Sequence, residues 1–262
     1  MTIDNFENFR KLVEVIAVLR SPEGCPWDRE QDHKSLRENF LQETYEALDA
    51  IDSGISEELK EELGDVLLQV VLHAQIASEE DKFDIEDVAK VITEKLIRRH
   101  PHVFSDTMVK DSAEVMVNWE EIKKQEKPER KSALSGIAKS LPALAAAMEL
   151  SKKAVKTGFE WPNEESLWDC LQTEISEFKK AVEKRDKKEM EDELGDILFS
   201  LVNVARWHGI DPELALLQAN KKFKKRFRMM ENLATKDLKQ HNTNEFEELW
   251  QTAKKQLQKN GN

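Results

Sequence analysis

The chain has 262 residues and a formal net charge of −12, and this acidic balance disfavours a general nucleic-acid binder because neutralising phosphates requires basic residues. Its two cysteines form no Cys-x-x-Cys pair and its start does not resemble a signal peptide, so we expect a cytoplasmic protein. The apolar stretches are too short to span a bilayer, which disfavours a membrane protein. Scarce glycine (8) and proline (7) favour an all-α fold.

Hydrophobic periodicity predicts five helices in the first half of the chain, at residues 4–19, 34–52, 56–77, 84–99 and 111–126. The segment Gly24-Cys25-Pro26-Trp27-Asp28 is predicted to be an irregular loop after the first helix. Ser56 is a candidate N-cap for the third helix. Residues 66–72 of that helix are apolar nearly all round, which predicts a central place in a bundle. Pro101 ends the fourth helix.

The second half repeats this plan, with predicted helices at residues 141–157, 165–184, 187–208, 211–233 and 243–258. Asp211-Pro212 is typical of a capped helix start. The polar, proline-marked segment 127–132 separates the halves. We therefore expect two helical domains, residues 1–127 and 137–262, joined by a linker at 128–136.

Acidic pairs at helical spacing occur in both halves. Residues three apart on an α-helix lie on the same face, so each pair presents two carboxylates in one direction. A single such pair is usually a solvated helix face. Here a second copy exists: Glu174, Glu177, Glu193 and Asp196 each lie 131 positions after a counterpart, namely Glu43, Glu46, Glu62 and Asp65. The same offset relates Trp119 to Trp250 and Lys123 to Lys254, which indicates a tandem duplication.

Four converging carboxylates repel one another unless they are splayed into solvent or bridged by cations. All-oxygen ligation suits Mg²⁺ or Mn²⁺, which readily share a substrate phosphate, so a phosphate ester or anhydride is the expected substrate. Gly64 and its counterpart Gly195 lie inside the acidic helices. A repeated helical glycine indicates either close approach of a backbone, metal or ligand, or simply tight helix packing.

Basic residues in the later helices fit a phosphate substrate. Lys222 and Arg226 lie four apart, and Lys95 and Arg99 are their equivalents in the first half. Cations beside a metal site could hold outer phosphates, although a lysine run alone is more often a solvated face. Trp250 could stack on a base or be an ordinary core aromatic.

Other catalytic schemes lack their motifs. The chain has no Gly-rich phosphate loop, no dinucleotide fingerprint and no nucleophile elbow. A di-iron bundle would need two Glu-x-x-His motifs on core helices, and only Glu30 with His33 has this spacing. We interpret the histidines His73, His100, His102 and His208 as structural.

These motifs together resemble the MazG family of nucleoside triphosphate pyrophosphohydrolases in its two-domain form. The matching elements are the paired acids, the Glu-Leu-Gly-Asp strings at 62–65 and 193–196, the Trp27 loop and the stretch Arg98-Arg99-His100-Pro101-His102-Val103-Phe104. The resemblance implies an all-α fold, a homodimer, Mg²⁺ dependence, and hydrolysis of nucleoside triphosphates to the monophosphate and pyrophosphate. It also implies a role in clearing non-standard nucleotides or in tuning the stringent response.

The resemblance further implies that the second domain is the active one. Its metal site would be Glu174, Glu177, Glu193 and Asp196, and its substrate contacts would be Lys222, Arg226, Trp250 and Lys254. The first glutamate of the family's acidic motif is Gln42 in one half and Thr173 in the other. The residues themselves do not rank the halves, because both retain four acids. A helical module that binds nucleotides or a partner without catalysis is the alternative.

Overall fold

The computed structural model describes residues 6–126 and 132–260, and no strand occurs among them. The predicted all-α fold is confirmed. Contacts between Cα atoms divide the chain into Met1–Glu126, here called unit 1, and Lys127–Asn262, here called unit 2. The start predicted for the first helix, at residue 4, lies outside the described residues, and so do residues 128–131 of the predicted linker 128–136. None of the described helices is sufficiently long and apolar to traverse a bilayer.

Unit 1 is built around a helical hairpin. Its helices are α1 (Glu7–Arg20), α2 (Pro26–Glu30), α3 (Arg37–Ser53), α4 (Ser56–Glu79), α5 (Ile85–Arg99), α6 (Pro101–Phe104) and α7 (Ser112–Glu126). Helices α3 and α4 pack along each other, and α1 and α5 pack against α4. Gly54, with φ of 69°, closes the turn of the hairpin, a conformation that glycine adopts without strain. Helix α7 packs against α5.

Unit 2 contains the equivalent hairpin. Its helices are α8 (Ala143–Val155), α9 (Glu164–Lys184), α10 (Lys187–Trp207), α11 (Pro212–Leu233) and α12 (Thr243–Asn260), with a 3₁₀ turn at Leu238–Gln240. Helices α9 and α10 form the hairpin, and α8 and α11 pack against α10. Helix α12 packs against α11, as α7 packs against α5 in unit 1.

Aspartate caps set the start of several helices. The carboxylate of Asp211 accepts the Leu214 N–H at 3.0 Å, with Pro212 in the first helical position, so the predicted cap is confirmed. Asp84 caps α5 in the same way and forms a reciprocal capping box with Asp87. The equivalent helices α5 and α11 therefore begin by the same local device.

Two local predictions in unit 1 are wrong. Ser56 is the first residue of α4 and not its cap, because the N-cap position is held by Ile55 and no side chain caps this helix. The segment predicted as an irregular loop after α1 contains the one-turn helix α2, which begins at Pro26. Proline suits this first position because its φ is helical and the N–H it lacks would have had no partner there.

The buried core of unit 1 takes up one face of α4. Ile16, Leu36, Val71, Leu72 and Ile76 form the core cluster of unit 1. The predicted central place for residues 66–72 holds only in part, because Leu67 is 38% exposed. The neighbours of α4 cover the face that carries Val71 and Leu72 and leave the Leu67 side open.

Candidate metal and phosphate site

The acidic cluster of unit 2 is assembled by the α9–α10 hairpin. Glu174 and Glu177 lie on α9, and Glu193 and Asp196 lie on α10. Carboxylate oxygens of Glu174, Glu177 and Glu193 lie within 4.8 Å of one another. Asp196 is outside this group. The structure thus brings together three of the four residues proposed from the sequence and places the fourth one turn further along α10.

Glu193 carries the observation that points to a cation. Its Oε2 atom is buried and has no hydrogen-bond partner among the described residues. Burial raises the pKa of the Glu193 carboxyl above its ordinary value, and the charges of the neighbouring carboxylates, Glu177 first, raise it further. A buried carboxylate oxygen without a donor is costly, and a bound cation would remove that cost. The residues present therefore fit a metal ion.

Unit 1 holds an equivalent group of three carboxylates, but the acid left outside it is not the counterpart of Asp196. Oxygens of Glu43, Glu62 and Asp65 lie within 4.8 Å of one another. Burial raises the pKa of Glu43 and of Glu62 above the ordinary value, and the charge of Glu46 is the next largest cause for both. Glu46 itself is outside the group, and its Oε1 atom accepts the Gln42 amide at 2.9 Å.

The two departures from the family's acidic motif have a structural description. Gln42 donates to Glu46, so its side chain turns along α3. The Thr173 hydroxyl donates to the backbone carbonyl of Asp169 at 2.9 Å, one turn earlier on α9. Each residue is therefore satisfied by its own helix. Three carboxylates with completing waters and a substrate phosphate still suit Mg²⁺ or Mn²⁺.

The paired glycines are not explained by packing inside a unit. Apart from the backbone of its own helix, a Cβ atom built on Gly64 or on Gly195 would meet no heavy atom of the described chain within 4 Å. The interpretation of these glycines as sites of tight helix packing is therefore wrong within each unit. Approach of a ligand or of another chain is the interpretation that the open space still accommodates.

The four proposed substrate contacts of unit 2 lie on two adjacent helices. Lys222 and Arg226 are on α11, and Trp250 and Lys254 are on α12. The Arg226 guanidinium carbon lies 5.5 Å from the centroid of the Trp250 ring, a cation–π contact. In the described part of the chain, no carboxylate forms an ion pair with Lys222, Arg226 or Lys254. Their charges remain available for an external anion.

Trp250 is half buried. Its ring lies 5.5 Å from the Phe223 ring as well as beside Arg226, while Phe223 is largely exposed. One side of the indole is thus used inside unit 2. Base stacking by its remaining surface stays a prediction, and so does the alternative of a core aromatic.

Unit 1 repeats the arginine–tryptophan contact and adds an acid to it. The Arg99 guanidinium carbon lies 5.6 Å from the Trp119 ring centroid. Arg99 also donates through Nε and Nη2 to the Glu126 carboxylate, with Nε 3.1 Å from Oε2, and Arg98 Nε donates to it at 2.7 Å. The Arg99 hydrogen bonds, above all, lower the pKa of Glu126 to about 2.

Lys123 of α7, the equivalent of Lys254, is also paired with an acid. Lys123 Nζ lies 3.1 Å from Glu120 Oε1, one turn away on the same helix. The residues 131 positions after Glu120 and Glu126 are Gln251 and Leu257, so neither acid has a counterpart in unit 2. The sequence analysis did not identify these two acids, although aligning the halves by the 131-residue offset shows that both are replaced by neutral residues in unit 2.

The polar groups that anchor the Trp-containing loops had no sequence signal. In unit 2, Arg206 donates to Ser151 at 2.7 Å and pairs with Glu160 at 2.7 Å, and Ser151 donates to the buried Asn203. In unit 1, Arg20 and Glu79 pair at 2.7 Å although they are 59 residues apart in sequence. Such partners meet only after the helices pack, so no local spacing reveals them.

Two tandem all-α units, each with a hairpin of clustered carboxylates packed against a helix that carries cations, define the class of protein. The family described as the MazG nucleotide pyrophosphohydrolase domain matches residues 31–104 and 162–229. The matches span both hairpins together with α5 and most of α11. The chain belongs to this family, and the resemblance inferred from the motifs is confirmed.

Related proteins extend the similarity over nearly the whole chain. The chain is 46% identical over 250 residues to the nucleoside triphosphate pyrophosphohydrolase/pyrophosphatase MazG of Thermotoga maritima, covering 94% of this chain and 95% of that protein. It is 42% identical over 254 residues to the nucleoside triphosphate pyrophosphohydrolase of Escherichia coli, covering 94% and 97%. It is also 45% identical over 254 residues to the uncharacterised protein YabN of Bacillus subtilis, covering 95% of this chain and 52% of that protein.

Proposed function

We propose that this protein hydrolyses nucleoside triphosphates, with Mg²⁺ or Mn²⁺, to the nucleoside monophosphate and pyrophosphate, and that unit 2 carries the reaction. The observation that carries this proposal is the buried Oε2 atom of Glu193, which lacks a partner among the described residues and belongs to a group of three carboxylates. The names of the Thermotoga and E. coli relatives support the substrate class.

Glu174, Glu177 and Glu193 would hold the metal ion, and Asp196 would add negative charge beside it. The ion, when bound, neutralises the carboxylates and polarises the phosphate whose bond breaks. A carboxylate of the cluster accepts the proton of the attacking water, because several carboxylate oxygens converge there. Attack on the α-phosphate releases pyrophosphate in one piece.

The cations of α11 and α12 would bind the outer phosphates. Lys222, Arg226 and Lys254 have no carboxylate partner in the described part of unit 2, so a triphosphate meets no internal competitor for their charges. Trp250 would stack on the base. Because every base has a π-face, such stacking tolerates different bases and suits ribonucleotide and deoxyribonucleotide substrates alike. We accordingly propose a role in clearing non-standard nucleotides or in adjusting the stringent response.

We also propose that the protein works as a homodimer. Leu194, Leu198 and Leu201 of the α10 face are each close to half exposed, and Gly195 beside them leaves open space. An apolar helical stripe of this kind is costly to leave in water and suits a second copy. Light scattering coupled to size-exclusion chromatography should give twice the mass of one chain for the natural protein. The Leu198→Glu variant should elute with the mass of a single chain.

Product identification tests the reaction directly. The protein is incubated with Mg²⁺ and a panel of nucleoside triphosphates, and products are resolved by chromatography with phosphorus NMR. We expect monophosphate and pyrophosphate. Diphosphate with inorganic phosphate, or no product from any triphosphate, would contradict the proposed attack on the α-phosphate and favour a binding module without catalysis. Glu177→Gln serves as the matched control for contaminating hydrolases.

A further inference from the structure

Unit 1 retains the carboxylates of a metal site and the arginine over a tryptophan, yet it uses the arginine internally. Arg99 is held by Glu126 from α7, while its equivalent Arg226 has no acidic partner in the described part of unit 2. The distance from guanidinium to ring is nearly the same, 5.6 Å and 5.5 Å. The arginine therefore has the same position in both units, and the units differ in whether an acid of the protein binds it.

The Glu126 carboxylate is placed as a phosphate would be. Its side chain is only 14% exposed, and that of Arg99 is 10% exposed. Two nitrogens of Arg99 and one of Arg98 donate to its two oxygens. A guanidinium binds phosphate and carboxylate oxygens with the same two-pronged geometry, so an incoming phosphate and Glu126 would compete for the same donors. The arginines lower the pKa of Glu126 to about 2, so this acid stays ionised well into the acidic range.

The second acid acts on the neighbouring cation. Glu120 pairs with Lys123, whose equivalent in unit 2, Lys254, has no carboxylate partner among the described residues. At the positions of Glu120 and Glu126, unit 2 has Gln251 and Leu257. Two acid-to-neutral differences on one helix therefore separate a cation set that is internally neutralised from one that is open.

We propose that Glu126, assisted by Glu120, occupies the phosphate position of unit 1, so that each chain takes a single triphosphate, in unit 2. This inference rests on the proposed function, because it takes the Arg226 region as the triphosphate site. A triphosphate entering unit 1 would have to expel Glu126 and leave a mostly buried carboxylate without its donors, which is unfavourable.

Equilibrium dialysis of the full chain with Mg²⁺ and an α,β-methylene triphosphate, which cannot be cleaved at the reactive bond, measures the stoichiometry. We expect one bound molecule per chain for the natural protein and two for Glu126→Leu. Adding Glu120→Gln should tighten the binding of the second molecule, in unit 1. Glu121→Gln removes the same charge from an exposed position of α7 and should remain at one. A stoichiometry of two in the natural protein would overturn the closure of unit 1.

The reciprocal change keeps the proposal testable if Glu126→Leu fails to fold. Leu257→Glu should place an acid near Arg226 and weaken binding in unit 2 at least tenfold, while Leu257→Gln, equally polar but uncharged, should weaken it much less. Equal effects of the two would overturn the proposal, as would one bound molecule in a natively helical Glu126→Leu protein. No binding by the natural protein together with one molecule per Glu126→Leu chain would support the closure and contradict the proposed function. No binding by either would contradict both.

Discussion

Unit 1 and unit 2 have the same helical scaffold and differ in where negative charge stands around it. Each has a hairpin with three converging carboxylates and an arginine about 5.5 Å from a tryptophan ring. In unit 1, Glu126 and Glu120 neutralise the cations of this region, and in unit 2 neutral residues stand at both positions. Duplication has preserved the helical packing and the grouping of carboxylates, while the acids Glu120 and Glu126 of α7 distinguish the two copies.

The two units also anchor the loop after their first helix in different ways. The loop after the first helix of each unit is tied down by an arginine, Arg20 from α1 in unit 1 and Arg206 from α10 in unit 2. Arg20 donates to the carbonyl of Gln31 at 3.1 Å, and Arg206 pairs with Glu160 inside the loop. The loop is anchored in both units although the residues responsible are not equivalent by the duplication offset.

The largest expected effect comes from equivalent carboxylates. We expect Glu177→Gln to lower turnover by about a thousandfold or more, because it removes a ligand and a candidate proton acceptor from the unit 2 cluster. We expect Glu46→Gln, its equivalent 131 positions earlier, to change turnover less than about twofold. Steady-state rates with one triphosphate measure both. Comparable losses from the two variants would show that both units catalyse the reaction.

Substitution of the two equivalent arginines should affect substrate binding in unit 2 and folding stability in unit 1. Arg226→Gln should raise KM about 10- to 100-fold with little loss of folded stability, since Arg226 has no ion pair in the described part of unit 2. Arg99→Gln should leave KM unchanged and lower the free energy of unfolding by about 1 to 3 kcal/mol, because Glu126 loses its main donor. Kinetics and denaturant unfolding check the pair. A rise in KM with Arg99→Gln would contradict an internally occupied unit 1.

The sequence predicted the scaffold well because its signals were local or repeated. The helical periods, the Asp211-Pro212 cap and the 131-residue offset each need only neighbouring residues or a second copy, and the structure places α9, α10 and α11 within two residues of the predicted bounds. The convergence of Glu174, Glu177 and Glu193 followed from helical spacing plus a hairpin.

What the sequence did not reveal depends on contacts between distant elements. His33 and His73, 40 residues apart, bring their Nδ1 atoms to 2.8 Å, which no spacing rule predicts. Burial, and then the charge of His33, lowers the pKa of His73. Exposure of Leu67 could not be read from composition, because it depends on how many helices cover α4.

The pH dependence of metal stabilisation tests whether both clusters hold ions. The raised pKa of Glu193, Glu43 and Glu62 means that, without metal, their contribution to stability is present at low pH and is lost as pH rises through these folded-state values. Mg²⁺ competes with the protons, so its stabilising effect should grow between about pH 5 and pH 7.5 and reach about 1.4 kcal/mol per site at ten times Kd.

Calorimetric melting with and without Mg²⁺ at each pH measures this effect. Glu193→Gln should remove the stabilisation that Mg²⁺ gives through unit 2. Glu62→Gln should remove the stabilisation through unit 1, because the two residues lie in different carboxylate groups. If only one of these variants changes the response, the clusters differ in metal binding as well as in the cations around them. A melting temperature indifferent to Mg²⁺ at pH 7.5 would contradict a metal site in either unit.

The smallest expected effect concerns the glycines, at which the units are alike. Gly64→Ala and Gly195→Ala each place a methyl group where no described atom outside the backbone of its own helix lies within 4 Å. Because alanine favours the helix, the free energy of unfolding should rise by about 0.5 to 1 kcal/mol from either change. Denaturant unfolding at low protein concentration measures this gain. If a second copy packs over the α10 stripe, Gly195→Ala should instead weaken dimerisation, which light scattering over a dilution series detects. A different result for Gly64→Ala would then show that α4 and α10, identical in local sequence pattern, face different surroundings in the assembled protein.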